Sequence, residues 1–180
     1  YKRAYELYLK TQNEFGKTTS AGNLGSILIN FKQYQESLKY SEIARKGFVK
    51  LGYNRYEVYP ISNIACAYDS LHQFEFANKK YAEAIQLFEK YENSYQVAEI
   101  SNAYANCLIK QKKFNESILQ SKKALVFATK AEANVLKVQS YKNLSSAYAK
   151  NRNFELANTY ANLYSIGKDS LFANEKTKVI

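Results

Sequence analysis

The side chains that most often do chemistry are few in this chain and badly spaced for it. His72 is its only histidine, and its two cysteines are Cys66 and Cys107. A thiol becomes a nucleophile when a base or a positive field holds it as thiolate, and neither cysteine has an imidazole on a neighbouring helix face. Two cysteines in an ample core make no disulfide framework; small buried hydrophobes is the reading that fits them. Asp69 and Asp169 stand a hundred residues apart, with no metal-ligand spacing. Gly22 and Gly25 lack the lysine and the preceding strand of a phosphate loop. The Asn-X-Ser runs at Asn115 and Asn143 are chance matches inside helical text. The expectation is therefore no catalysis, no metal and no cofactor in this segment.

The elements that carry these residues are helices in pairs. Across residues 62–85, Ile64, Ala65 and Tyr68 form one apolar stripe, and Phe74, Ala77, Tyr81, Ala84 and Ile85 form a second. Leu71, His72 and Gln73 leave room only for a tight turn between them. Ala65 and Ala77 mark where the two helices approach closely. A forty-residue shift repeats the frame: Phe74 is matched by Tyr34, Phe114 and Phe154, and Tyr68 by Leu28, Leu108 and Tyr148. Ile64 is matched by Leu24, Tyr104 and Leu144, Ala77 by Ser37, Ser117 and Ala157, and Ala84 by Ala44 and Ala124, failing at Tyr164. A sustained period in this range is the signature of a solenoid. The recurring aromatics read as core, so Phe74→Ala is expected to cost about 3–5 kcal/mol.

One proline and six glycines in 180 residues suit helices and argue against a sheet rich in turns. No run of apolar residues is long enough to span a membrane, and the start at Tyr1, without a methionine, leads to the expectation that this is a piece of something longer. The net charge of +10 admits an acidic partner, acidic lipid or nucleic acid. The lysines are scattered, however, with dense groups only at Lys110, Lys112, Lys113 and at Lys122, Lys123; a solvated face is the economical explanation. Aromatics interleaved with lysine can stack bases, but their recurrence at packing positions points away from nucleic acid.

In chain order, residues 1–12 match the second helix of a repeat whose first helix is missing, with Tyr1, Ala4, Tyr5 and Leu7 apolar. A connection at 13–18 follows, with Gly16 able to stop the helix. Four hairpins are then predicted at 19–51, 56–91, 95–130 and 135–169, in a single array. Gly52 reads as a left-handed cap, and Pro60 as a first-turn residue. From 170 to 180 the frame ends and a connecting helix begins.

Leu24-Gly25, Ile64-Ala65, Tyr104-Ala105 and Leu144-Ser145, each followed ten residues later by an aromatic and then by a small residue at plus three, resemble tetratricopeptide repeats. That family's unit is about 34 residues, so this longer period implies longer helices or connections. The large aromatic early in the first helix is kept only as Tyr141, with Ala21, Ile61 and Ser101 elsewhere, and the closing proline is absent. The resemblance implies an all-α, right-handed α-α superhelix of helical hairpins whose first helices line a concave groove. Carried over by position, the groove residues are Gly22, Asn23 and Ser26; Ser62, Asn63, Cys66 and Asp69; Asn102, Asn106 and Lys110; and Lys142, Asn143, Ser146 and Lys150. Asn23, Asn63 and Asn143 share one position, with Asn102 one place away. A side-chain amide donates and accepts, so this ladder either pairs with an extended peptide backbone or bonds a neighbouring helix and braces the array. Lys142, with Lys110 and Lys150, suits an acidic side chain or a carboxylate.

The run from Tyr164 to Lys176, with Lys168-Asp169-Ser170-Leu171-Phe172 at its centre, is similar to the end of tetratricopeptide sensor regions in Bacteroidetes signalling proteins. That resemblance implies a sensory or scaffolding region of a two-component or transcriptional regulator, with a kinase or DNA-binding module following. The expected partner is a protein or peptide, acidic in character, and not nucleic acid; a homodimer is allowed. A periplasmic place fits a membrane sensor and a cytoplasmic one any other role. A stand-alone adaptor that assembles a complex is the alternative, and a nucleic-acid-binding repeat protein the third reading.

Overall fold

The structure, a computed structural model, describes residues 1–177, with side chains through residue 173. The described residues are helical apart from short connections, in two compact units, Tyr1–Tyr91 and Glu92–Ile180. The first unit contains α1 (Lys2–Lys10), α2 (Glu14–Asn30), α3 (Tyr34–Lys50), a 3₁₀ turn (Asn54–Tyr56), α4 (Val58–Ser70) and α5 (Phe74–Lys90). The second contains α6 (Ser94–Lys110), α7 (Phe114–Lys130), α8 (Asn134–Lys150) and α9 (Phe154–Thr177). Within each unit successive helices pack as hairpins, and the first helices of adjacent hairpins also touch, α2 on α4 and α6 on α8.

The turns set this regularity. Gln12, Lys32, Gly52, His72, Glu92, Lys112, Glu132 and Arg152 all have positive φ, one every twenty residues. At the hairpin tips the amide after each such residue reaches back to close the helix, as Gln33 N to Leu28 O at 2.9 Å and Lys113 N to Leu108 O at 2.9 Å. This is the Schellman arrangement, which satisfies carbonyls the helix end leaves open. Only Gly52 is the residue type that adopts this geometry freely. Geometrically, the forty-residue repeat is two twenty-residue steps with the same turn.

Small residues fix the crossing within each hairpin. Ser37 Oγ donates to Gly25 O at 2.7 Å and Ser117 Oγ to Ala105 O at 2.9 Å. In the last hairpin the roles reverse, and Ser145 Oγ donates to Ala157 O at 3.0 Å. Ala65 and Ala77, at the same register in the second hairpin, are fully buried. A Cβ at Gly25 would overlap Ser41 Oγ and stand 3.2 Å from the Ser41 backbone nitrogen, so the helices are as close there as glycine permits.

Three local expectations change. Gly16 does not stop a helix; α2 starts at Glu14, because Asn13 caps it by accepting the Gly16 N–H at 2.8 Å. Gly16 instead leaves room for the Tyr8 ring, whose atoms would lie 2.6–2.7 Å from a Cβ there. In the second hairpin, Tyr53 occupies the slot that Asn13 and Asn93 use as caps, and it makes no side-chain cap bond. With Pro60 unable to donate, the helix waits until Val58, which keeps Pro60 in its first turn. The helix after the turn at Arg152 does not end near Asp169 to be followed by another; α9 runs unbroken through Thr177, and residues 178–180 lie outside the described residues.

The repeating aromatic is also less buried than a core position. Phe74 and Phe114 are half-buried and Phe154 is 70% exposed. They begin the second helices beside the hairpin turns, where no neighbour covers their outer side, so Phe74→Ala costs less than a core truncation. The buried groups are the interior stripes: Ala21, Ala44 and Phe48 in the first unit, and Ile118, Leu144, Ala147, Tyr148 and Ala157 in the second.

Candidate functional site

The groove positions lie on α2 and α4 in the first unit and on α6 and α8 in the second, and their burial divides them into two kinds. Asn102 and Asn143 are 3% and 1% exposed. Asn143 Nδ2 donates to Asn102 O at 3.1 Å and to Asn102 Oδ1 at 3.0 Å, and Gln139 Nε2 donates to Asn143 Oδ1 at 3.0 Å. Asn102 Nδ2 donates to Leu136 O at 3.0 Å, while its Oδ1 also accepts from Ser140 Oγ at 3.1 Å. Both amides are thus engaged between α6 and α8. Of the two roles open to the ladder, these residues take the bracing one.

The first unit repeats the brace in weaker form. Asn63, at the register of Asn143, directs Nδ2 to Gly22 O at 3.5 Å, the carbonyl at the register of Asn102. Asn23 is exposed on α2, which has no earlier first helix beside it among the described residues. Ser62 Oγ is spent on Val58 O of its own helix at 3.0 Å, and Cys66 Sγ accepts from Tyr81 Oη at 3.6 Å. Asp69 is buried, 7% exposed.

What remains on the outer side of these helices is polar and open. In the first unit it is Asn23 and Ser26; in the second it is Asn106, Lys110, Lys142 and Lys150, with Ser146 half-buried. Glu99 lies on the α6 stripe of Asn106 and Lys110 at helical spacing, and sequence reasoning passed over it. Desolvation raises its carboxyl pKa, although the residue as a whole is exposed. The periodicity that selected Asn106 and Lys110 extends two turns further back and would have found it. Chemically this is a surface of amides, hydroxyls and lysines. Among the described residues no group of three or more His, Cys, Asp or Glu is placed to hold a metal, and no helix is long and apolar enough to cross a membrane.

No protein-family model matches the chain, and no curated protein does. Solved structures do match. The crystal structure of the apo form of RapI superposes with a TM-score of 0.84 at 16% identity, over 96% of this chain and 65% of that one. The fold is tetratricopeptide-like. The crystal structure of BtubC (BKLC) from P. vanneervenii gives a TM-score of 0.79 at 16% identity, over 88% of this chain and 65% of that one. The chain thus spans 65% of the length of each. At this identity the likeness extends to the fold alone, with its sequential helical hairpins.

Proposed function

We propose that this chain is a protein-binding module that takes a peptide or a protein segment on the open polar face of its first helices. The observation that carries the reading is the division just described. In the second unit Asn102 and Asn143 spend their amides on bracing, whereas Asn106, Lys142 and Lys150 are exposed on the same two helices; in the first unit Asn63 braces and Asn23 and Ser26 are exposed on α2. A rigid first helix with its register held from behind is a preorganised platform, which lowers the ordering cost of binding. The reading assigns no catalytic step to this segment. It places the module in the sensory or scaffolding part of a bacterial signalling protein, supported by the similarity of residues 164–176 to such regions and by the unbroken α9.

The test is a peptide selected by display against the purified chain. Asn106→Ala with Lys142→Ala is expected to weaken its binding at least about tenfold, as removal of interface contacts does, with an unchanged melting temperature. A selected peptide indifferent to that pair, in a variant that is still folded, would remove the proposal. Asn143→Ala is unsuited to the test, because Asn143 is a brace.

A further inference from the structure

The two hairpin tips of the second unit carry a concentration of cations that the tips of the first unit lack. Lys110, Lys112 and Lys113 end α6 and turn into α7; Lys150 and Arg152 end α8 and turn into α9. All five are exposed. The two tips are adjacent and tied together, since Asn151 Nδ2 donates to Asn115 Oδ1 at 2.9 Å across them. Two carboxylates of the second unit share the edge, Glu116 and Glu155 in the first turns of α7 and α9, and Glu116 stands 3.9 Å from Lys113. At the matching places the first unit has Asn30, Lys32, Gln33 and Glu36, then Ser70, His72, Gln73 and Glu75, an edge with no excess of cations. Phe154, 70% exposed at the start of α9, adds an apolar ring beside the second tip.

The bland reading is that lysine near a helix C-terminus complements the helix dipole. It covers Lys110 and Lys150. It does not cover Lys112, Lys113 and Arg152, which lie beyond the helix ends, and in the turns at the other ends of the helices the left-handed positions are Glu92 and Glu132.

We infer that this edge docks an acidic, extended segment of a partner protein across the tips of the α6–α7 and α8–α9 hairpins. The inference deepens the protein-binding reading and rests on it. Neighbouring packed helices lie about 8–10 Å apart, and three residues of extended chain cover about 10 Å. A segment with a carboxylate at every third residue therefore meets one tip and then the next. The edge also selects against a continuous polyanion. Glu116 and Glu155 would repel the evenly spaced phosphates of a bilayer or a duplex, whereas a segment with discrete acids can pass neutral residues over them. Phe154 then receives an apolar side chain of the segment.

The experiment uses fluorescence anisotropy at low salt, where exposed charges are least screened. The probe is a labelled synthetic peptide with glutamate at every third position, serine between and one leucine. Lys112→Glu with Arg152→Glu is the edge variant. Both positions tolerate glutamate in the left-handed turn, as Glu92 (φ 54°) and Glu132 (φ 52°) show within this chain. Lys32→Glu with Lys46→Glu makes the same change of net charge on the first unit. The edge variant is expected to weaken the probe about tenfold or more and the control at most about twofold, as a local charge pair does against a distant one. Equal losses in both variants would mean attraction by net charge alone and would overturn the inference. So would tighter binding of phosphatidylserine vesicles or duplex DNA than of the probe. If the display-selected peptide binds while the acidic probe does not, the edge inference fails alone; if neither binds, the protein-binding reading fails with it.

Discussion

A buried asparagine is a commitment, because an amide taken from water must find its partners inside the protein. Asn143 meets it with three hydrogen bonds to Asn102 and Gln139 at 3.0–3.1 Å, while Asn63 makes the equivalent contact to Gly22 O at 3.5 Å. Asn143→Ala should therefore lower stability by about 1–3 kcal/mol, because it deletes buried bonds and leaves Asn102 under-satisfied. Asn63→Ala should cost under about 1 kcal/mol, since a long bond on a half-buried side chain is nearly replaced by water. Urea midpoints of the two variants check the order, and an equal loss would contradict the bracing assignment. The sequence showed that these asparagines share a register. It could not show which face of the helix each occupied, because that depends on whether a neighbouring first helix stands against it.

At the scale of the element, the seventeen-residue helices and the turns between them are one device repeated. Seven of the eight left-handed turn residues are not glycine, and each bears the steric cost of a Cβ in that region. Glu132→Gly, at an exposed turn with φ 52°, should raise stability by about 0.5–1 kcal/mol once the greater freedom of glycine in the unfolded chain is set against the relief. A shift of the denaturation midpoint to higher urea is the expected result; a lower midpoint would mean that the turn carries no strain. The hairpin crossings were legible in the sequence as small residues twelve apart, because close approach demands small side chains whatever the context. The helix starts were not. Asn13 as a cap and Tyr53 as a failed one act through single hydrogen bonds, which leave no mark on hydrophobic periodicity.

At the scale of the molecule, each compact unit has its own buried clusters and its own successive hairpins. In repeat proteins most stabilisation passes between nearest neighbours, and a piece of this size buries enough surface to fold alone. The segment from Glu92 onward, expressed by itself, should give a helical far-ultraviolet circular dichroism spectrum with a cooperative melt. A coil spectrum would show that its hairpins do not hold one another.

The sequence by itself determined the helical class, the forty-residue frame and the positions of the interior stripes, since periodic burial is written directly in residue type. Only the tertiary structure decided which polar residues are braces and which are open. It alone brought Lys112 and Arg152, forty residues apart in the chain, onto adjacent tips of one edge. The reason is physical: burial and proximity of polar groups are set by the neighbouring helix, and a single strand of sequence does not specify how near that neighbour stands.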